Sequence, residues 1–204
     1  LTEPEAGSDV AALQMTAQLA GDEYVLNGMK RFISNAGDAE NYVVFAKTNP
    51  AAGNRGISAF IVERGTPGFA FGPKMKLLAP HPIGELLFHD CRIPKANLLD
   101  KEGEGFKIAM KTLDVFRSTV GAAAVGIAQG AFELAVAYAK RRVQFGEPLA
   151  QFQAIQFKLA DMVTEINAAR LLVYHAATTK DQGAERVSLE AAMAKLYATE
   201  TAHR

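Results

Sequence analysis

Arg142-Val143-Gln144-Phe145-Gly146-Glu147-Pro148-Leu149 sets a guanidinium, an amide and an aromatic ring close together, next to a second arginine at Arg141. Two adjacent cations, an amide and an exposed-looking aromatic at one bend need a reason. The combination has an ordinary account, since cations favour the carbonyl end of a helix and Phe145 can anchor a turn. A second candidate is the polar loop Leu1-Thr2-Glu3-Pro4-Glu5-Ala6-Gly7-Ser8-Asp9. Pro4 and Gly7 set its backbone, Ser8 or Asp9 can cap a short turn, and clustered N–H groups around a glycine suit a phosphate or a polar ring edge. Asp114 and Arg117 lie three apart, the spacing of an ion pair on one helix face.

The elements that hold these residues follow from periodicity. Val120, Ala124, Ile127, Ala131, Leu134 and Tyr138 recur at helical spacing, and so do Phe152, Ile155, Leu159, Met162, Ile166 and Ala169. Between the two runs Gly146 permits a helix C-cap and Pro148 cannot continue a helix, so a helical hairpin is predicted with Arg142 and Phe145 at its bend. A third helix is predicted from Ser188 as N-cap, with Glu190 in its first turn, through Met193 and Leu196. Met110, Met162 and Met193 fall on expected core faces.

Residues 13–93 read differently. Leu13, Met15, Ala17 and Leu19 alternate with polar residues, Asn27-Gly28 reads as a hairpin turn, and β-rich runs follow at 42–47, 57–63 and 86–93. Many short strands with little helix between them predict a small antiparallel barrel or sandwich. Alternation by two gives way to helical spacing at Gly103-Glu104-Gly105-Phe106, so a β domain over 1–100 and a helical domain over 101–204 are expected.

Composition narrows the chemistry. The 204 residues carry 22 basic and 22 acidic side chains, and neither the balance nor any cluster offers the basic stripe that nucleic acid or an anionic membrane needs. The longest apolar run, around 121–128, is shorter than a membrane span. One cysteine, Cys91, excludes an intrachain disulfide and fits a reducing compartment. The four histidines have no zinc spacing, there is no P-loop and no Gly-x-Gly-x-x-Gly, and Ser8 has no histidine near it in sequence for a hydrolase triad.

Two stretches carry a resemblance. Leu-Thr-Glu-Pro-x-Ala-Gly-Ser-Asp at 1–9 and Arg-x-x-Phe-Gly-x-x-Leu at 142–149, followed by Gln153 and by Gln156-Phe157-Lys158-Leu159-Ala160-Asp161-Met162, resemble the signatures of the acyl-CoA dehydrogenase family. The likeness extends over the whole chain. It implies segregated α+β domains: the antiparallel β-barrel or sandwich, then part of an up-down four-helix bundle. It implies FAD as cofactor, with Leu1, Thr2, Gly7 and Ser8 lining the flavin. Arg142 would hold the pyrophosphate, with Gln144 beside it, while Phe145 and Gln153 would reach the adenine, commonly across a subunit interface. Phe32, Ile33 and Ser34, within Arg31-Phe32-Ile33-Ser34-Asn35-Ala36, correspond to the segment flanking the isoalloxazine ring, with Phe32 and Ser34 where relatives often have tryptophan and threonine. Ser8 would also touch the substrate's pantetheine arm, and Asp114 and Arg117 would contact the CoA part or shape its pocket. At Ala79-Pro80-His81-Pro82-Ile83-Gly84 the chain departs from the Arg-Gly-Ser common in relatives, which leaves substrate detail open.

The reaction implied is oxidation of an acyl-CoA to a 2,3-enoyl-CoA, with electrons passed to an electron-transferring flavoprotein. A homotetramer is expected, in the cytoplasm of a bacterium or the mitochondrial matrix of a eukaryote. An acyl-CoA oxidase, another flavin enzyme of the same fold, and a non-catalytic acyl-CoA-binding or assembly relative are the alternatives. The family's catalytic base is a carboxylate, in most members near the C-terminus and in some immediately before the arginine that matches Arg117. Phe116 stands at that second place, so the base is expected beyond Arg204; Glu133 and Glu165 read as ordinary helix-face carboxylates.

Overall fold

The computed structural model describes residues 1–78 and 81–204; Ala79 and Pro80, the start of the divergent 79–84 stretch, lie outside the described residues. The chain divides into two compact units, Leu1–Met110 and Lys111–Arg204.

The first unit is built on one seven-stranded sheet. Its strands are β1 (Thr16–Ala20), β2 (Glu23–Ser34), β3 (Asn41–Lys47), β4 (Ile57–Glu63), β5 (Phe69–Phe71), β6 (Ile83–Pro94) and β7 (Leu98–Leu99), in the order β5-β6-β2-β1-β3-β4-β7. Every pairing is antiparallel except β1 with β3, which meet in parallel at Thr16 and Lys47, so the sheet is mixed where an all-antiparallel one was expected. Inward positions carry large apolar side chains: Tyr24 and Phe60 lie with ring centroids 4.8 Å apart, and Phe69 stacks on Phe88 at 4.8 Å. Burial and a hydrogen bond to Glu102 push the Tyr24 phenol up to about 12. Cys91 is fully buried in the same core, which raises its thiol to about 11.

Asn27-Gly28 is not a turn. β2 runs through it unbroken, and the chain reverses at Gly21-Asp22 instead. Gly28 sits at a register shift with φ +139°, and a Cβ there would lie 2.9 Å from the Cβ of Met15. Asn-Gly favours hairpins, but here glycine answers a close approach within the sheet.

The second unit holds most of α1 (Gly105–Arg141), with α2 (Gln153–Asp181) and α3 (Ser188–His203). Its interior is made of small residues: Ala124, Val125 and Ala128 of α1 meet Ile166, Ala169, Val173 and Ala176 of α2 and Ala194 and Ala198 of α3. The expected stripe of α1 is largely outside, with Val120, Ile127, Leu134 and Tyr138 exposed; so are Met162 and Met193, against expectation. Both faces have helical period, and close helix approach selects the one carrying alanine and glycine. A Cβ on Gly121 would lie 3.1 Å from Val173 Cγ2 and 3.3 Å from the Ala194 carbonyl. By length and composition alone α1 could also cross a membrane, which counting only the unbroken run at 121–128 did not reveal.

Candidate cofactor site

In the first unit, the 1–9 loop is held by a carboxylate. Glu3 closes a tight turn with Ala6, through Glu3 N–H to Ala6 O at 3.0 Å and Ala6 N–H to Glu3 O at 3.3 Å. Its side chain is buried and accepts hydrogen bonds from the N–H groups of Gln14 and Met15 and from Lys30 Nζ, the last at 2.7 Å. Lys30 Nζ also donates to the Leu1 carbonyl at 3.3 Å, and Arg31 N–H donates to the Thr2 carbonyl at 2.9 Å. Leu1 and Thr2 are therefore drawn against the start of the 31–34 segment. Gly7 and Ser8 lie exposed, and a Cβ on Gly7 would meet nothing within 4 Å.

The 31–34 segment is a β-bulge. Lys30 pairs with Leu86 and Ile33 with Gly84, so Arg31 and Phe32 together oppose Glu85. Phe32 takes φ +58° and leaves its ring 56 % exposed, with the Arg31 guanidinium 5.3 Å from its centroid. Ile33 turns inward against the sheet core, and the Ser34 hydroxyl lies 2.8 Å from His81 Nε2.

In the second unit, the bend after α1 is a miniature β-hairpin and not a glycine C-cap. β8 (Val143–Gln144) pairs with β9 (Glu147–Pro148), and Phe145 and Gly146 form the turn with φ of +53° and +85°. Positive φ at both central residues is the type I′ pattern, which fits strand twist and explains why the helix stops at Arg141. Phe145 is 95 % exposed, in edge contact with Phe152 at 6.2 Å between centroids. The Arg142 backbone is fixed by bonds to Tyr138 and Leu149, while its exposed guanidinium makes no ion pair among the described residues. Arg141 instead sets its guanidinium 5.8 Å from the Tyr138 ring centroid. Gln144 bonds its own strand at the Val143 carbonyl, and Gln153 opens α2 in an exposed position. An unpaired arginine beside an aromatic edge suits a phosphorylated ligand with a flat ring.

Asp114 and Arg117 form a separate centre on α1, about 36 Å along the helix from Arg141 at its rise per residue. The buried Asp114 carboxylate accepts from Arg117 Nη1 at 2.9 Å through one oxygen and from the Ser188 hydroxyl at 2.7 Å through the other, with Arg186 Nε 3.8 Å away. It borders a cleft of about 360 Å³ lined also by Lys111, Lys180 and Val187. Ser188 does begin α3, but it bonds Asp114, and Val187 occupies the N-cap position without a side-chain cap. Phe116 is exposed, Glu133 accepts from Gln129, and Glu165 pairs with Arg204.

Comparison with known proteins decides the family. Residues 1–91 match the model of the acyl-CoA dehydrogenase middle domain, and residues 103–204 match that of the acyl-CoA dehydrogenase C-terminal domain. The chain belongs to the acyl-CoA dehydrogenase family. Acryloyl-CoA reductase (NADH) of Anaerotignum propionicum is 53 % identical over 99 % of the chain and 52 % of its own length. Butyryl-CoA dehydrogenase of Megasphaera elsdenii superimposes with a TM-score of 0.96 at 50 % identity, over 98 % of this chain and 53 % of that one. A chain from the structure described as the electron transferring flavoprotein of Acidaminococcus fermentans, studied toward flavin-based electron bifurcation, gives 0.96 and 55 % over the same shares. The chain thus spans about half the length of the relatives it matches.

For this acyl-CoA dehydrogenase family member the residues fit FAD. In the first unit an open Gly7 and a bulge that presents Phe32 offer a flat surface to a ring, and in the second a free Arg142 guanidinium and a projecting Phe145 ring offer charge and an aromatic face, each suited to part of a flavin dinucleotide. Glu3, Lys30 and His81 escaped the sequence reading as site contacts, and Ser188 was read only as an N-cap. Lys30 had a signal, because it shares parity with the inward Tyr24 and Leu26 on β2 and so places an ammonium in the core. The others had none, since their partners are remote in sequence.

Proposed function

We propose that the complete protein is an FAD-dependent acyl-CoA dehydrogenase that oxidises an acyl-CoA to a 2,3-enoyl-CoA and passes electrons to an electron-transferring flavoprotein. The observation that carries this reading is a pair of phenylalanines in left-handed backbone, Phe32 and Phe145, both presenting their rings outward. Bulky residues rarely adopt that conformation, each costs about 1–3 kcal/mol, and such strain collects at ligand sites. Among the described residues the other non-glycine positions with positive φ are Asn35, Asp90 and Asp100, types that tolerate it.

Bound FAD supplies the hydride acceptor for the β-carbon hydrogen. In this reading Arg142 holds the pyrophosphate with Gln144 beside it, Phe145 and Gln153 the adenine, and Leu1, Thr2, Gly7 and Ser8 with the 32–34 bulge the isoalloxazine. Asp114 fixes Arg117 toward the CoA part. No carboxylate of this chain is assigned as the base for the α-proton: Phe116 cannot accept one, and Glu133 and Glu165 are engaged elsewhere. A homotetramer that shares flavin contacts between subunits, in a bacterial cytoplasm or mitochondrial matrix, completes the proposal.

Arg142→Ala in the complete protein is expected to weaken FAD retention by roughly 1.5–3 kcal/mol, the value of a charged hydrogen bond, and Arg141→Ala by much less. Equal loss in the two, measured by flavin release on gel filtration, removes the assignment. Anaerobic bleaching of the flavin by acyl-CoA tests the reaction. A second reading draws support from the relative named acryloyl-CoA reductase (NADH): the same site would run toward saturation of the enoyl thioester. NADH consumption with an enoyl-CoA, without flavin bleaching by acyl-CoA, would favour it.

A further inference from the structure

Lys30 is 1 % exposed and Glu3 6 %, and neither belongs to the ring-facing surface assigned to the cofactor. Burial lowers the Lys30 ammonium below its ordinary value, and the bond to Glu3 opposes that shift. A buried ion pair is weak support for stability, because desolvation offsets the attraction and apolar replacements often do as well. Its connections are more telling than its energy. Glu3 ties the first turn of the chain to the Gln14 and Met15 amides, and Lys30 ties the same turn to β2 through both the Glu3 carboxylate and the Leu1 carbonyl. The next residue, Arg31, holds the Thr2 carbonyl and opens the bulge that projects Phe32. One buried pair therefore joins the two segments of the first unit that the proposed function places against the flavin.

We infer that Glu3 and Lys30 are positioning residues for the cofactor: their ion pair is the latch that sets the 1–8 loop against the 31–34 bulge, so that both meet one ring. The inference rests on the FAD reading above. Without the latch the loop keeps the Arg31–Thr2 bond, the buried Ala6 methyl and the packing of Leu1, which are contacts of the backbone and of apolar surface; no side-chain bond is then left to fix its setting against the bulge.

The test uses the complete protein stripped of FAD, with flavin fluorescence quenching for affinity, urea unfolding of the apoprotein for global stability, and amide exchange over residues 2–8. Glu3→Gln combined with Lys30→Met removes both charges together, so neither remains orphaned. The expected result is at least a tenfold rise in the FAD Kd and faster exchange over 2–8, with an unchanged urea midpoint. Tyr24→Phe, which weakens the sheet core away from the loop, is the control and should lower the midpoint while leaving FAD affinity within twofold. If the double variant does not fold, Glu3→Asp, which keeps both charges but shortens the reach of the carboxylate, is read in the same way. FAD affinity within twofold of the parent in the latch variant overturns the inference and leaves the flavin reading intact. Equal loss of affinity in latch and control variants also overturns it, by making the pair merely structural. A parent apoprotein that binds no FAD defeats the flavin reading itself, and the positioning role with it.

Discussion

The two units solve burial in opposite ways. The β unit puts its largest side chains inside, with Tyr24, Phe60, Leu26, Ile57 and Ile93 all below 2 % exposure. The helical unit puts alanines inside and leaves Ile127, Leu134, Leu171 and Leu196 more than 60 % exposed. A sheet core needs volume to fill the space between its strands, whereas helices pressed together need its absence. Hydrophobicity alone therefore identifies the interior of the first unit and misleads about the second.

Cavity formation gives the sharpest contrast. Phe60→Ala should destabilise the β unit by about 3–5 kcal/mol, seen as a lowered urea midpoint, because a buried ring leaves a void that strands cannot close. Leu134→Ala in the 204-residue chain should change stability by no more than about 0.5 kcal/mol, as for other exposed positions. A cost near that of Phe60→Ala would mean that the outer face of α1 is covered, and the contrast would fail.

Polar contacts supply a middle-sized effect with a pH signature. Tyr24→Phe should cost about 1.5–3 kcal/mol near neutrality, the range for a hydrogen bond to a charged group. In the folded state the phenol is raised from 10.0 to about 12, so the folded form keeps a proton that the unfolded chain releases. The contribution is complete below pH 10 and falls as pH rises toward 12. Stability curves of parent and variant should converge over that interval; parallel curves would show that the phenol is not perturbed. Overpacking closes the series: Ala194→Leu should cost about 1–3 kcal/mol in the helical unit, since Ala194 is fully buried where helices meet.

Legibility in the sequence followed the same division. β3 and β4 were readable to within a residue, because β-branched runs bounded by turn residues have few alternative structures. The helices were readable as helices, yet not their buried faces, since alanine at helical spacing is a weak signal beside a leucine stripe. Asn27-Gly28 misled because local turn preference gave way to the approach of Met15. Of the residues proposed for the cofactor, Arg142 and Phe145 stood out as types at a bend. The left-handed backbone of Phe32 and Phe145 did not, because nothing about a phenylalanine announces positive φ. The Glu3–Lys30 pair spans 27 positions and exists only once β2 has folded beside the loop.

Cys91 turns the β unit into its own clock. It is the chain's single thiol, with no exposed surface and an acidity weakened by burial to about 11, so alkylating reagents have neither access nor thiolate at neutral pH. Labelling at Cys91 therefore proceeds only when the sheet opens, and its rate reads the opening of that unit without a mutation. A cysteine introduced on the hairpin, for example Gly146→Cys, would react at once on the same background, so one reagent could time two regions of a single molecule.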